Sequence, residues 1–168
     1  MAFILSKDRD RDVVAAFHRY EEYLKHQRSA FPLGAYSLAT AEWYFDPRDH
    51  RCPHDAWLDN LTLSEKATGL RHEIRILTMR IRLLGAYQDG HIELYYPQVF
   101  GYGLEIDSVV NGHGDWLYDQ FRLNDRGHVL HEIEWSGPGT SGQWMIEASD
   151  VEFAWRPYET FAPVQPDA

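Results

Sequence analysis

Within residues 8–28 the apolar side chains Val13, Phe17, Tyr20 and Leu24 recur every three or four positions, with Val14 and Ala16 beside them. That spacing lines them along one stripe and predicts an amphipathic helix over 8–28. Asp8, Asp10 and Asp12 gather at its start and Lys25, His26 and Arg28 at its end, which complements the helix dipole; Phe31-Pro32 then closes it. Residues 33–53 hold neither period for long and are expected to be irregular, with a short strand near 36–43.

Beyond residue 55 the period changes to two. Trp57, Leu61 and Leu63 alternate with Leu58, Asn60 and Thr62, the pattern of a strand. Residues 71–106 contain Asp89-Gly90, a dipeptide suited to a two-residue hairpin turn with positive φ at both positions. Such a turn pairs Gln88 with His91. Outward counting then sets Tyr87 against Ile92, Leu83 against Tyr96, Met79 against Phe100 and Leu77 against Tyr102, while Pro97 marks an edge or a bend. In residues 116–135 the loop Asp125-Arg126-Gly127 puts glycine where a bulged turn needs a left-handed residue, pairing Leu123 with Val129 and Phe121 with His131. After the glycine-rich tip at 137–142, Trp144 and Ile146 share one parity and Val151, Phe153 and Trp155 the other, so a bulge is expected near Ser149.

These elements predict an α+β chain that is mostly β: the N-terminal helix packed on a strongly twisted antiparallel meander or open barrel of about six strands, spanning 55–156. A two-sheet sandwich is the nearest alternative. Neither a repeat nor a linker interrupts residues 1–168, so one domain is expected, with a loose tail at 157–168.

Composition narrows the function classes. The chain is 44% apolar, 14% aromatic and 25% charged, which suits a packed core. Cys52 has no second cysteine to pair with, and the apolar run Ala2, Phe3, Ile4, Leu5 is too short for a secretory signal and meets Lys7 directly; a cytoplasmic location is expected. The net charge of −10 disfavours nucleic acid and anionic membrane as partners and favours a basic protein.

Four groups of residues carry candidate chemistry. His50, Cys52 and His54 alternate in the polar run at 46–55 and could present three zinc ligands if that run were extended, although the spacing matches no standard zinc pattern; no cofactor is expected. Asp119 and His131 fall on the inward parity of the second hairpin, where a carboxylate beside an imidazole could serve as a catalytic acid and base or as a satisfied structural pair. On the opposite parity Tyr118, Gln120, Glu132 and Glu134 form an acidic, partly aromatic surface suited to a basic partner or to plain solvent. His128, His131 and Glu132 spell H-x-x-H-E, but strand spacing sends the two imidazoles to opposite faces, unlike the helical zinc motif. Among the tryptophans, Trp57, Trp135, Trp144 and Trp155 sit at core parity, leaving Trp43 and Trp116 as exposed rings for binding.

No glycine-rich phosphate loop and no G-x-S-x-G nucleophile elbow occurs. The expectation is therefore a non-enzymatic acidic protein that recognises another, basic protein, like an immunity protein by analogy of size and charge. The alternative is a small-ligand-binding or metal-dependent enzyme working in the interior of the sheet.

Overall fold

The computed structural model describes residues 2–5, 7 and 9–159. After the N-terminal segment come helix α1 (Val13–Gln27), helix α2 (Leu33–Ala39) and a 3-10 turn (Glu42–Phe45). Eight strands follow: β1 (Trp57–Thr68), β2 (Ile74–Leu84), β3 (Gly90–Tyr96), β4 (Val99–Ile106), β5 (Asp115–Leu123), β6 (Val129–Gly137), β7 (Thr140–Ala148) and β8 (Glu152–Pro157). They form one antiparallel sheet in the order β4-β7-β6-β5-β1-β2-β3-β8. The expected six strands become eight, and in place of a meander or open barrel in sequence order the sheet joins β4 to β7, β5 to β1 and β3 to β8, strands that are not consecutive in the chain. The lower count has a simple origin. β3 and β4 are two halves of one stretch broken at Pro97, and β7 and β8 are halves of another broken at Ser149 and Asp150. The Ser149 amide donates to the Gln98 carbonyl at 2.9 Å, joining the two breaks.

Helix α1 starts at Val13, later than expected, because the Asp12 carboxylate accepts the Ala15 amide at 2.9 Å and caps it there. Ala16, Tyr20 and Leu24 are buried while Val13 and Val14 are exposed, so the helix turns its later turns to the sheet. Its tyrosines do more than pack. Tyr20 Oη donates to the Phe121 carbonyl at 3.0 Å and accepts the Phe121 amide at 2.7 Å, and Tyr23 Oη accepts the Leu123 amide at 2.9 Å. β1 pairs with β5 only at Trp57 and Asp115, so these hydroxyls satisfy the side of β5 that β1 leaves open.

The stretch expected to be irregular, with a short strand near 36–43, holds α2 and the 3-10 turn instead. What decides it lies far along the chain: the Asp150 carboxylate accepts the Gly34 and Ala35 amides at 3.1 and 2.8 Å, capping α2 from the β7–β8 bend. No local motif encodes that cap.

The second hairpin has the expected register, with Leu123 opposite Val129, Phe121 opposite His131 and Gly127 at φ +77°. The first does not. Leu83 faces Ile92, Ile81 faces Leu94 and Met79 faces Tyr96, a shift of four residues from the two-residue turn. A longer loop replaces that turn: the Gly85 amide donates to the Gly90 carbonyl, the Gln88 amide donates to the Gly85 carbonyl, and Gln88 rather than Asp89 takes positive φ. Tyr87, expected opposite Ile92, instead stacks on His50 with ring centroids 4.1 Å apart and donates to the Pro47 carbonyl. A shift by an even number keeps side-chain parity, so Met79, Leu83, Ile92 and Tyr96 still face the core, whereas Tyr87, Phe100 and Tyr102, expected on the same apolar face, are exposed. The strand after Pro97 leaves the hairpin and pairs with β7, with Tyr102 opposite Ile146, so Phe100 and Tyr102 are not the partners of Met79 and Leu77.

Gly90 has a role, but not the expected one. A Cβ there would lie 2.6 Å from the Trp155 ring and 2.7 Å from the Arg156 carbonyl oxygen, so the glycine admits β8. Gly90→Ala is accordingly expected to cost about 1–3 kcal/mol by overpacking, seen as a lower urea midpoint. Gly127→Ala, with open space at its Cβ but a left-handed backbone, should cost only about 1 kcal/mol.

Candidate functional site

The register of β5 and β6 brings Asp119 and His131 together inside the sheet, at 2% and 0% exposure. Three donors meet the Asp119 carboxylate: Tyr44 Oη at 2.8 Å, Trp116 Nε1 at 3.0 Å and His131 Nε2 at 2.8 Å. On its other side His131 Nδ1 meets Tyr96 Oη at 2.7 Å. Burial, reinforced by the Asp119 charge, pushes the Tyr44 and Tyr96 hydroxyls well above the usual tyrosine range, so both stay protonated as donors. The imidazole stacks on Phe121 with centroids 4.1 Å apart. The space against Asp119 is about 20 Å³, room for a single water, and His131 is not on its wall. Such an arrangement braces β3, β5, β6 and the 3-10 turn around one charge; it offers no substrate-sized opening.

His50, Cys52 and His54 do not converge. The expected extended run is a chain of turns, in which the Asp49, Cys52 and Ala56 amides donate to the Asp46, Asp49 and Pro53 carbonyls. Asp46 and Asp49 each accept the amide and the guanidinium of the arginine two residues on, Arg48 and Arg51. Alternation is lost, and the three side chains part. His50 is exposed beside Asp89 and Tyr87. His54 lies edge-on to Tyr118. Cys52 is buried, its Sγ–H donating to the Tyr44 carbonyl, and burial pushes its thiol up to about 12. Among the described residues no group of three such side chains is placed to hold a metal ion.

The outer face of the second hairpin is acidic, as expected, but largely covered. Gln120 is fully buried: its Oε1 accepts the Phe3 and Ile4 amides at 3.0 and 2.9 Å, and its Nε2 donates to Glu132 at 2.7 Å. Arg122 makes two hydrogen bonds to Glu132, at 2.7 and 2.6 Å. Burial alone would push the Glu132 carboxyl up, but the bonds from Arg122 and Gln120 outweigh it and hold the group below the usual glutamate range. Arg9 lies over the Tyr118 ring and pairs with Glu134 at 2.5 Å. Trp116, expected to be exposed, is fully buried, whereas Trp57, expected in the core, is 52% exposed. The irregularity between Leu58 and Asn60 reverses parity just past Trp57, and the one between Trp116 and Tyr118 does so on β5.

What remains open on this face lies towards β4. Glu134 is opposite Gln143 and Gln143 opposite Glu105, so the three form one row across β6, β7 and β4. Two adjoining hollows flank the row. One, of about 340 Å³, is lined by Glu105, Asp107, Glu134 and Ser141; the other, of about 270 Å³, by Ala2, Leu5, Glu105, Glu132 and Met145. Gly103 leaves its floor open, since a Cβ there would touch nothing. Glu105 and Asp107 have no cationic partner among the described residues, and Asp107 accepts only from the Ser141 hydroxyl at 2.5 Å. Sequence reasoning missed both acids because it left β4 in the first hairpin; their alternation at 105 and 107 was the only local signal. A separate hollow of about 380 Å³ lies between α1, α2 and the 3-10 turn, floored by Phe17, Tyr20, Tyr36 and Phe45.

No family model matches the chain, and no curated protein or solved structure is significantly similar to it. No helix among the described residues is long and apolar enough to cross a membrane.

Asp119→Ala should lower stability by about 3–5 kcal/mol, because it strands the donors of Tyr44, Trp116 and His131, whereas Tyr96→Phe should cost about 1–3 kcal/mol; chemical denaturation measures both. Protein purified without chelator is expected to carry no stoichiometric zinc by elemental analysis, and His54→Ala should leave its melting temperature unchanged, since a structural metal would contribute folding energy directly.

Proposed function

We propose that this chain is a non-enzymatic acidic binding protein that recognises another protein through basic residues. The observation that carries the reading is the open acidic trough across β6, β7 and β4, where Glu105 and Asp107 stand beside Glu134 with no cationic partner among the described residues. With a chain charge of −10, such a trough speeds the encounter with a cationic surface and repels anionic ones. Of the surface first expected to bind, Glu132 and Glu134 contribute to the walls, while Gln120 and Tyr118 hold the N-terminal segment and Trp116 belongs to the core. An immunity protein, which masks a basic toxin, remains the analogy of size and charge.

Less supports an interior enzyme. Asp119 and His131 spend their polar atoms on one another and on Tyr44, Trp116 and Tyr96, with about 20 Å³ beside the carboxylate.

The test is charge reversal at the unpaired acids. Glu105→Lys with Asp107→Lys should slow association with a basic partner at least ~10-fold and flatten its dependence on salt, with little change in melting temperature because exposed charges contribute little to stability. Reversing Glu132 and Glu134 instead should lower the melting temperature, since Arg122 and Arg9 would lose their partners. Unaltered association in the Glu105/Asp107 variant would overturn the reading.

A further inference from the structure

Strand β4 ends the sheet, and no strand among the described residues pairs with its outer side. The Asp107 amide donates to the Ser141 carbonyl at 2.9 Å, and Glu105 and Gly103 follow at the same parity opposite Gln143 and Met145. In an antiparallel ladder those residues turn both backbone groups to β7, so Tyr102, Leu104 and Ile106 turn theirs outward. No hydrogen bond among the described residues satisfies them. The ladder irregularity lies upstream, between Val99 and Gly101, and leaves this stretch regular.

The other open strand sides are dealt with in ways β4 is not. The free side of β5 is closed by the hydroxyls of Tyr20 and Tyr23. β8 is six residues long, ends in Pro157 and carries Glu152 and Arg156. β1 beyond Trp57 is polar, with Asp59, Asn60, Thr62, Ser64, Glu65 and Lys66. Charges, prolines and short length are the usual guards against strand addition. β4 has eight residues, no proline and no lysine, glycines at 101 and 103 that flatten one face, and Tyr102 at 47% exposure on the other.

We propose that the β4 edge receives an extended basic segment of the partner protein as an added antiparallel or parallel strand. The inference rests on the basic-partner reading above and specifies how that partner is held. Backbone bonds to Tyr102, Leu104 and Ile106 supply the register. Alternate side chains of the segment then fall on opposite faces: lysine or arginine beside Glu105 and Asp107, apolar residues beside Tyr102 and Leu104. A second copy of this chain is the poorer occupant, because it brings one −10 chain against another.

The probe is a blocked eight-residue peptide of alternating lysine and valine, with a glutamate–valine peptide and a lysine–proline peptide as controls. Amide hydrogen exchange by NMR is the readout. The lysine–valine peptide should slow exchange at Tyr102, Leu104 and Ile106 at least ~10-fold, leaving Gly103 and Glu105, already bonded to β7, little changed. The glutamate–valine peptide should not bind, and the lysine–proline peptide, which keeps the charge but lacks a backbone donor at every second position and so cannot build a continuous ladder, should give no protection. Glu105→Lys with Asp107→Lys should weaken the lysine–valine peptide at least ~10-fold. If the lysine–proline peptide binds as tightly as the lysine–valine one, strand addition is wrong while the acidic reading stands. If both valine peptides bind alike, or charge reversal changes nothing, the basic-partner reading itself fails. Protection of the three amides that grows with protein concentration in the absence of peptide would assign the edge to a second copy and overturn the proposal.

Discussion

A carboxylate kept at 2% exposure must have its oxygens met by donors, and Asp119 meets that demand with groups from three separate parts of the chain. Trp116 comes from its own strand, His131 from β6 and Tyr44 from the 3-10 turn, while Tyr96 on β3 holds the far nitrogen of the imidazole. Satisfying one charge therefore fixes how the helical layer sits on the sheet and how β3 approaches β6. The same demand explains why this pair, chemically the most suggestive in the chain, has no room for a substrate: the donors that make the charge tolerable also seal it.

Backbone groups impose a parallel requirement at the sheet's margins. Where β1 diverges from β5, tyrosines of α1 take over its hydrogen bonding; where the outer face of β5 and β6 would be bare, Gln120 and Arg9 draw the N-terminal segment across it, and Arg9 also donates to the Ile4 carbonyl. The β4 edge has no such provision among the described residues, and it borders two carboxylates, Glu105 and Asp107, with no cationic partner among them. Unspent backbone bonding and unspent charge coincide there, which is what separates this trough from the hollow between the helices.

Part of the site was legible in the sequence and part was not. The loop at Asp125, Arg126 and Gly127 encodes its own geometry, because glycine tolerates the left-handed turn and Asn124 Oδ1 accepts the Arg126 and His128 amides; the facing of Asp119, His131, Glu132 and Glu134 followed from it. The neighbours across the sheet did not. Glu105 reaches Glu134 only because β4 crosses to β7 after Pro97, and no local pattern says which distant strand an edge will join. Likewise the turns at 46–56 undo the alternation on which a three-ligand reading of His50, Cys52 and His54 depended.

By itself the sequence determined the elements whose signals are local: the stripe of α1, the bulged loop between β5 and β6, the breaks at Pro97 and Ser149, and the parity that separates core from surface on most strands. Tertiary structure alone decided the rest. The four-residue shift of the first hairpin follows from Trp155 packing over Gly85 and Gly90 and from Tyr87 stacking on His50, and α2 exists because Asp150 caps it from the other end of the chain. Parity survives such shifts because it has a period of two residues. Register and strand order do not, because they are set by contacts between residues far apart in sequence.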